Sequence, residues 1–220
     1  MEEFYRRAPC APENARAACI CALCVLYWRQ KKEKERNALK RTILLASGSP
    51  RRRELMQNAG IDFVVEAADA DENFSGGPEE TVLTLSRRKA EAVAAKHPGE
   101  TVLAADTIVY HDGHVLGKPA DAAEAKRMLR GLSDGWHEVY TGVTVIENGE
   151  ATSRCAMTRV HFVALSDAQI DAYVATGEPM DKAGAYGIQG GAARFVDRIE
   201  GSPTNVIGLP MELACAMLNL

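Results

Sequence analysis

The residues best placed to do chemistry lie in one short run, Ser47-Gly48-Ser49-Pro50-Arg51-Arg52, directly after the apolar stretch Thr42 to Ala46. A strand that passes through small residues into a helix exposes the unpaired N–H groups of the first turn. These lie at the positive end of the helix dipole, where anions are attracted. Gly48 and the serines let a ligand approach the backbone closely. Arg51 and Arg52 then fall in that first turn, where each costs the helix roughly 0.3–1 kcal/mol unless an anion lies between them. Guanidinium forks match phosphate oxygens in pairs. The chemistry this spacing points to is a phosphate cradle; the plainer alternative is a solvated arginine cluster at a helix start. The run fits neither the G-x-x-x-x-G-K-[ST] loop nor a dinucleotide fingerprint.

Asp106 stands inside the otherwise apolar run Leu103 to Val109. A carboxylate buried there is costly unless it is hydrogen-bonded, paired or bound to a metal. It is either an inward polar residue satisfied by hydrogen bonds, or a group that binds Mg²⁺ or takes a proton from water. Lys89 shares a helical stripe with Val82, Leu85 and Val93. A lysine so placed snorkels to solvent or points into a site, and taken alone snorkelling is the simpler reading. Lys118, in Leu116-Gly117-Lys118-Pro119, reads by itself as an exposed loop lysine. The segment Asp181 to Gly191 is dense in glycine, which means special backbone angles, close approach to a ligand, or mere flexibility. Its Gln189 offers both a donor and an acceptor, as recognition of a base edge requires.

The elements that must position these residues follow from periodicity and punctuation. Thr42 to Ala46 reads as a strand, and Pro50 to Ala59 as a helix with Ser49 as N-cap, Pro50 at its first position and Gly60 as its stop. Ile61 to Ala67 reads as a strand, Asp69 to Pro78 as an acidic loop, and Thr81 to Lys96 as a helix. Thr101 to Tyr110 is a strand that turns at His111-Asp112-Gly113 into Val115-Leu116. Asp121 to Leu132 reads as a helix opened by a capping box with Glu124, and Ser166 with Gln169 opens another that stops at Gly177. Strands are predicted at His137 to Glu147, Thr158 to Leu165 and Arg194 to Ile199, and a last helix at Met211 to Leu220. Hairpins interrupt any regular βαβ alternation, so the expectation is α/β: a mixed twisted sheet with flanking helices.

The chain of 220 residues, 46% hydrophobic and 25% charged, has the composition of an ordinary soluble globular protein. A net charge of -4 excludes a global basic field for nucleic acid or an anionic membrane, so phosphate binding must come from a local cation cluster. The pattern divides near residue 40. Residues 1–40 read as a poorly packed extension, with a domain from 41 to 220. The apolar run Ala17 to Trp28 is shorter than the roughly 20 residues a membrane span needs, and it ends in Tyr27-Trp28 and a charged string rather than a cleavage site. Cys10, Cys19, Cys21 and Cys24 cluster there, with Cys155 and Cys215 elsewhere, which suits a reducing cytoplasm. Without a nearby histidine, Cys19, Cys21 and Cys24 read as small hydrophobes rather than metal ligands.

The run Leu45-Ala46-Ser47-Gly48-Ser49-Pro50-Arg51-Arg52-Arg53-Glu54-Leu55 resembles the opening signature of the Maf nucleotide pyrophosphatases. The likeness continues through Asp106-Thr107-Ile108-Val109, Gly117-Lys118-Pro119 and Tyr140-Thr141-Gly142-Val143. It then runs through Glu178 to Gly190 and Asn205-Val206-Ile207-Gly208-Leu209-Pro210, and so covers about residues 42–220 in order. It implies an elongated α/β fold like that of inosine triphosphatase, with a cleft between two lobes. It implies Asp106 as proton acceptor, Lys89 and Lys118 as further catalytic residues, and Arg51, Thr107 and Gln189 at positions linked to substrate choice. Ser47, Arg52 and Glu72 match other cleft residues. Gly-Ala-Tyr-Gly-Ile-Gln-Gly and Asp-Thr-Ile-Val resemble the branch acting on dTTP and UTP, leaving modified pyrimidine nucleotides open. Leu132-Ser133-Asp134-Gly135 departs from the family's more frequent Leu-Ser-Gly, which affects a loop.

The resemblance thus implies hydrolysis between the α- and β-phosphates of a small-molecule nucleoside triphosphate. It implies a divalent cation, Mg²⁺ or Mn²⁺, on Asp106 with Glu72 as the weaker ligand, a cytoplasmic location, and a homodimer with neither nucleic acid nor membrane as partner. Two alternatives stay open: a nucleotide-sensing regulator of septum formation or cell division, disfavoured by the intact set of acids and cations, and a 7-methyl-GTP pyrophosphatase, disfavoured by Gln189.

Overall fold

The computed structural model describes residues 42–220. The expectations placed on residues 1–40, including the cysteine spacing and the apolar run, lie outside the described residues. Strand β1 (Ile43–Leu45) leads into helix α1 (Pro50–Asn58), then β2 (Phe63–Val65), α2 (Pro78–Ala94), β3 (Thr101–His111) and β4 (His114–Leu116). Helix α3 (Ala122–Leu132) precedes the long hairpin of β5 (Trp136–Glu147) and β6 (Glu150–Phe162). After α4 (Asp167–Val174) come short 3-10 turns at Glu178–Asp181, Ala183–Ala185 and Gly191–Phe195, then β7 (Val196–Glu200), α5 (Pro203–Ile207) and α6 (Met211–Leu218).

Among the described residues the strands form a seven-stranded sheet in the order β2-β1-β3-β5-β6-β7, with β4 on β3. β1 is parallel to β2 and β3, and the other pairings are antiparallel. This is the mixed α/β sheet with flanking helices that the element order predicts.

Side chains alternate across a strand, so one sheet builds a core on each face. Ile43, Leu45, Leu103, Ala105, Val143 and Val145 point to one face, under Leu55 and Met56 of α1 and Ala214 and Leu218 of α6. Leu44, Ala46, Val102, Ala104 and Ile146 point to the other, under Ala90 and Val93 of α2. The far part of the sheet has its own core, where Val109, Val139, Val160 and Phe162 pack on α3, α4 and the 3-10 turns. Leu103 and Val109 of the single strand β3 therefore serve different cores, and Asp106 and Thr107 lie between them.

Three local expectations need correction. β6 begins at Glu150, not Thr158, because it pairs with β5 from Glu147↔Glu150 to Trp136↔His161. Its first half, Glu150 to Met157, has no fully buried position and only small residues facing inward, which weakens the apolar signal that periodicity needs. α2 begins at Pro78, whose fixed φ suits a first helical position, rather than at Thr81. Ser166 and Gln169 form the full capping box, but at α3 only half of one forms: Asp121 accepts from Glu124 N at 2.7 Å, while the Glu124 carboxylate turns to Ala120 N. The departure at Asp134 is absorbed by a left-handed backbone (φ 56), which aspartate tolerates better than most side chains.

His137 lies 2% exposed in the far core, edge-on to Phe162 and Tyr186, with Nε2 2.8 Å from the Tyr186 hydroxyl. Burial lowers its pKa to about 3. The unfolded chain takes up a proton below about pH 6.5 while the folded chain does not, so this residue makes stability fall as pH falls. From pH 7 to pH 5 the loss should be about 2 kcal/mol. Urea midpoints across that range should show it, and His137→Gln, which keeps a polar partner for Tyr186 without titrating, should flatten the slope. An unchanged slope would remove His137 as its source.

Candidate active site

Along one edge of β3, pairing with β1 reaches only to Leu103, and pairing with β4 begins only at Val109. Ala46 N donates to Leu103 O at 2.8 Å as the last link before the chain leaves β1. The uncovered stretch between holds Asp106 and Thr107. It lies past the carboxyl end of β1, where the chain departs to either side of the sheet, the position at which open α/β sheets bind ligands. A cleft of about 640 Å³ opens there.

Adjacent residues of a strand point to opposite faces, so Asp106 and Thr107 meet different helices. Asp106, 8% exposed, faces α2, where Lys89 Nζ donates to its Oδ1 at 2.6 Å. The same Nζ lies 2.8 Å from Glu72 Oε1, in the acidic loop before α2. Lys89 therefore does not snorkel: it turns inward between two acids. Gly142, opposite Asp106 on β5, explains how α2 comes so near, since a Cβ there would collide with the Val82 carbonyl of that helix.

Thr107 faces α1, where Arg52 is held on three sides. Its Nε donates to Gly208 O at 2.7 Å, Nη1 to Ser47 Oγ at 3.1 Å and Nη2 to Thr107 Oγ1 at 3.1 Å. Burial lowers the Arg52 pKa; the Asp106 charge opposes this, Arg51 adds to it, and Glu72 opposes it. Ser49 occupies the N-cap position of α1 but makes no side-chain cap. Its own N–H is instead held by Ser47 Oγ at 3.2 Å, which keeps the serine loop in shape.

The remaining expected residues line the same cleft: Arg51, Lys118 and Gln189 join Ser47, Arg52, Glu72, Lys89, Asp106 and Thr107. Lys118 is exposed, as its loop position suggests, yet it lines the cleft and its charge acts on Glu72. Glu72 is held below the usual carboxylate range first by the hydrogen bond from Lys89, against burial, with the charges of Lys89, Lys118 and Arg52 adding. Glu72 thus senses cations from three separate segments at once.

Several residues of this site carry no individual mark in the sequence. Asp181 and Lys182 also line the cleft, with Arg51 Nη1 3.6 Å from Asp181 Oδ2 and Lys182 Nζ 2.6 Å from Asp181 Oδ1. Both sit in the glycine-rich segment, where charge beside glycine was the available signal. The segment is built rather than floppy. The Glu178 carboxylate accepts from Tyr173 OH at 2.9 Å and Gly191 N at 3.0 Å, and a Cβ on Gly190 would strike that carboxylate. Gln189 is carried on this pinned turn. Phe74 reaches the cleft from the acidic loop with Arg88 5.8 Å from its ring centre, and a lone aromatic in a loop gave no warning of it.

The fold and site define an α/β protein whose uncovered strand edge presents one buried acid to cations converging from both faces of the sheet. The chain belongs to the Maf family: residues 42–220 match the model of Maf-like proteins. Over 176 residues it is 52% identical to the dTTP/UTP pyrophosphatase of Geotalea uraniireducens, covering 78% of this chain and 91% of that one. The dTTP/UTP pyrophosphatase of Symbiobacterium thermophilum is 51% identical over 178 residues, 80% of this chain and 92% of its own. That of Bacillus mycoides is 47% identical over 173 residues, 78% and 91%.

Proposed function

We propose that the protein hydrolyses dTTP and UTP to the nucleoside monophosphate and pyrophosphate. The observation that carries this reading is the position of Asp106, a nearly buried carboxylate on the wall of a cleft whose cations come from α1, α2, the β4–α3 loop and the glycine-rich turn. The kinship with dTTP/UTP pyrophosphatases supplies the substrate class.

In the reaction, a water oxygen bonds to the α-phosphorus, the bond from that phosphorus to the α–β bridging oxygen breaks, and pyrophosphate leaves. Asp106 takes the proton of the water through its carboxylate, which Lys89 orients from one side. Arg51, Arg52 and Lys118 offset the charge that builds on the phosphate oxygens and the leaving group. Gln189, which lines the cleft, has the donor and acceptor needed to read the base edge.

Among the described residues no group of three or more His, Cys, Asp or Glu side chains could hold a metal ion alone. Asp106 and Glu72, brought together on one Lys89, are hard oxygen donors of the kind that would hold such a cation. Bound there, Mg²⁺ or Mn²⁺ would supply positive charge to the phosphates. Among the described residues no helix is long and apolar enough to cross a membrane. We propose a homodimer in the cytoplasm, its mass to be read by sedimentation.

Purified protein with Mg²⁺ should release pyrophosphate from dTTP and UTP in preference to CTP and 7-methyl-GTP. Orthophosphate release would point to a phosphatase, and preference for 7-methyl-GTP to the other branch. Binding without release of either product would make the protein a sensor.

A further inference from the structure

Two of the motifs in the chain, Tyr140-Thr141-Gly142-Val143 and Asn205-Val206-Ile207-Gly208, contribute no side chain to the proposed reaction, yet they meet directly behind Arg52. Thr107 Oγ1, which accepts from Arg52 Nη2, lies 3.0 Å from Thr141 Oγ1 and 3.4 Å from Gly208 O. Thr141 Oγ1 in turn lies 3.1 Å from Asn205 O. Thr141 and Asn205 are both fully buried, and the Asn205 amide is anchored by donating to Val139 O and Thr158 Oγ1, each at 3.0 Å.

Each hydroxyl has one proton, which sets the direction of this chain. If Thr141 donated to Thr107, Thr141 would give up Asn205 O at 3.1 Å, and the Thr107 proton would be left to the open cleft or to Gly208 O across 3.4 Å, an oxygen that Arg52 Nε already holds at 2.7 Å. The other arrangement, Thr107 to Thr141 to Asn205 O, uses both protons at 3.0 and 3.1 Å. It runs in one sense from the guanidinium into the core, so that each bond strengthens the next. The Thr107 proton then points away from the cleft, and its oxygen is committed to Arg52.

We infer that Thr141 is a positioning residue: by accepting the Thr107 proton it turns the Thr107 oxygen toward Arg52 and fixes the guanidinium as a phosphate fork. A guanidinium has five N–H groups, and three are spent on Gly208, Ser47 and Thr107. The two left over, one on each terminal nitrogen, are free for oxyanions without any reorganisation at the moment of binding. This also gives Thr107, which the resemblance links to substrate choice, a place at the phosphate end. The inference rests on the proposed reading of the cleft as a triphosphate site.

The test is binding of inorganic tripolyphosphate by calorimetry, which needs no turnover and so stands apart from whether the wild type releases pyrophosphate. Thr141→Val keeps the shape and removes the acceptor. It should weaken tripolyphosphate binding roughly tenfold or more, as loss of a preset geometry does. Thr141→Ser should restore binding to near the wild-type value. In turnover, Thr141→Val should lower kcat/KM for dTTP, UTP and CTP by one common factor, leaving their ratios unchanged. Where Thr141→Val does not fold, Thr107→Val cuts the same chain one link nearer the guanidinium and should show the same loss. Wild-type affinity in the folded valine variant, a serine variant as weak as valine, or a changed ratio among the nucleotides would overturn the inference.

Discussion

Asp106→Asn should lower the rate of pyrophosphate release by roughly 10²–10⁴ while the protein stays folded. The size follows from the role: an amide cannot take the proton of the attacking water, and no other carboxylate sits on the wall of β3 to replace it. Folding should survive because the substitution is nearly isosteric and does not strand a charge. Lys89 is left with Glu72 at 2.8 Å, so removing the acid does not leave a buried, unpaired ammonium, the situation that makes broken buried pairs costly. Single-turnover rates beside thermal melting separate the two effects. Near-wild-type turnover in the variant would remove Asp106 from the chemistry, and a collapsed melting transition would make its role structural.

Gly142→Ala should be the most damaging single methyl group in the part of the sheet beside the cleft. The added Cβ would collide with the carbonyl of Val82 and lie 2.9 Å from Leu83 N. Both are backbone atoms of α2, so no rotamer change relieves the clash, and the helix itself must move off the sheet. Overpacking a core costs about 1–3 kcal/mol even where side chains can adjust, so about 3 kcal/mol or more is expected here. For a domain of this size that lowers Tm by roughly 6–12 °C. The residual folded protein should also be slow, because α2 carries Lys89, and a displaced Lys89 no longer orients Asp106. The nearby Thr144–Ser86 bond, 2.9 Å across the same interface, should loosen in parallel. A variant with wild-type Tm and activity would mean that α2 does not press on Gly142 as described.

These two residues show where sequence and structure part company. Asp106 was conspicuous in the chain because a charge inside an apolar strand must have a use, and the arginines after Pro50 were conspicuous because cations are misplaced at a helix start. Lys89 was not: a lysine on an apolar stripe reads as a snorkelling side chain until the helix is seen to lie over Asp106. Gly142 and Thr141 gave no signal of their own beyond the likeness of their motif, since the need for a missing Cβ or a buried hydroxyl exists only once another element has been packed against them. The first half of β6 was invisible for a related reason. Its inward positions, Ala151, Ser153 and Cys155, are small and only half-buried, so they leave little apolar contrast to read, and its pairing with β5 makes it a strand.

The sequence by itself determined the local order: which segments become strands and helices, where charge is forced into unfavourable surroundings, and hence which side chains call for a ligand. Those are properties of neighbours within a few positions, set by periodicity, capping and the cost of desolvating a charge. The tertiary structure alone decided that the residues meet. β1 pairs with β3 only as far as Leu103 and β4 pairs with it only from Val109 onward, so a stretch of β3 is left uncovered. Alternation along that stretch sends Asp106 to α2 and Thr107 to α1. The pairing of strands far apart in the chain creates that gap, and no local pattern can encode it.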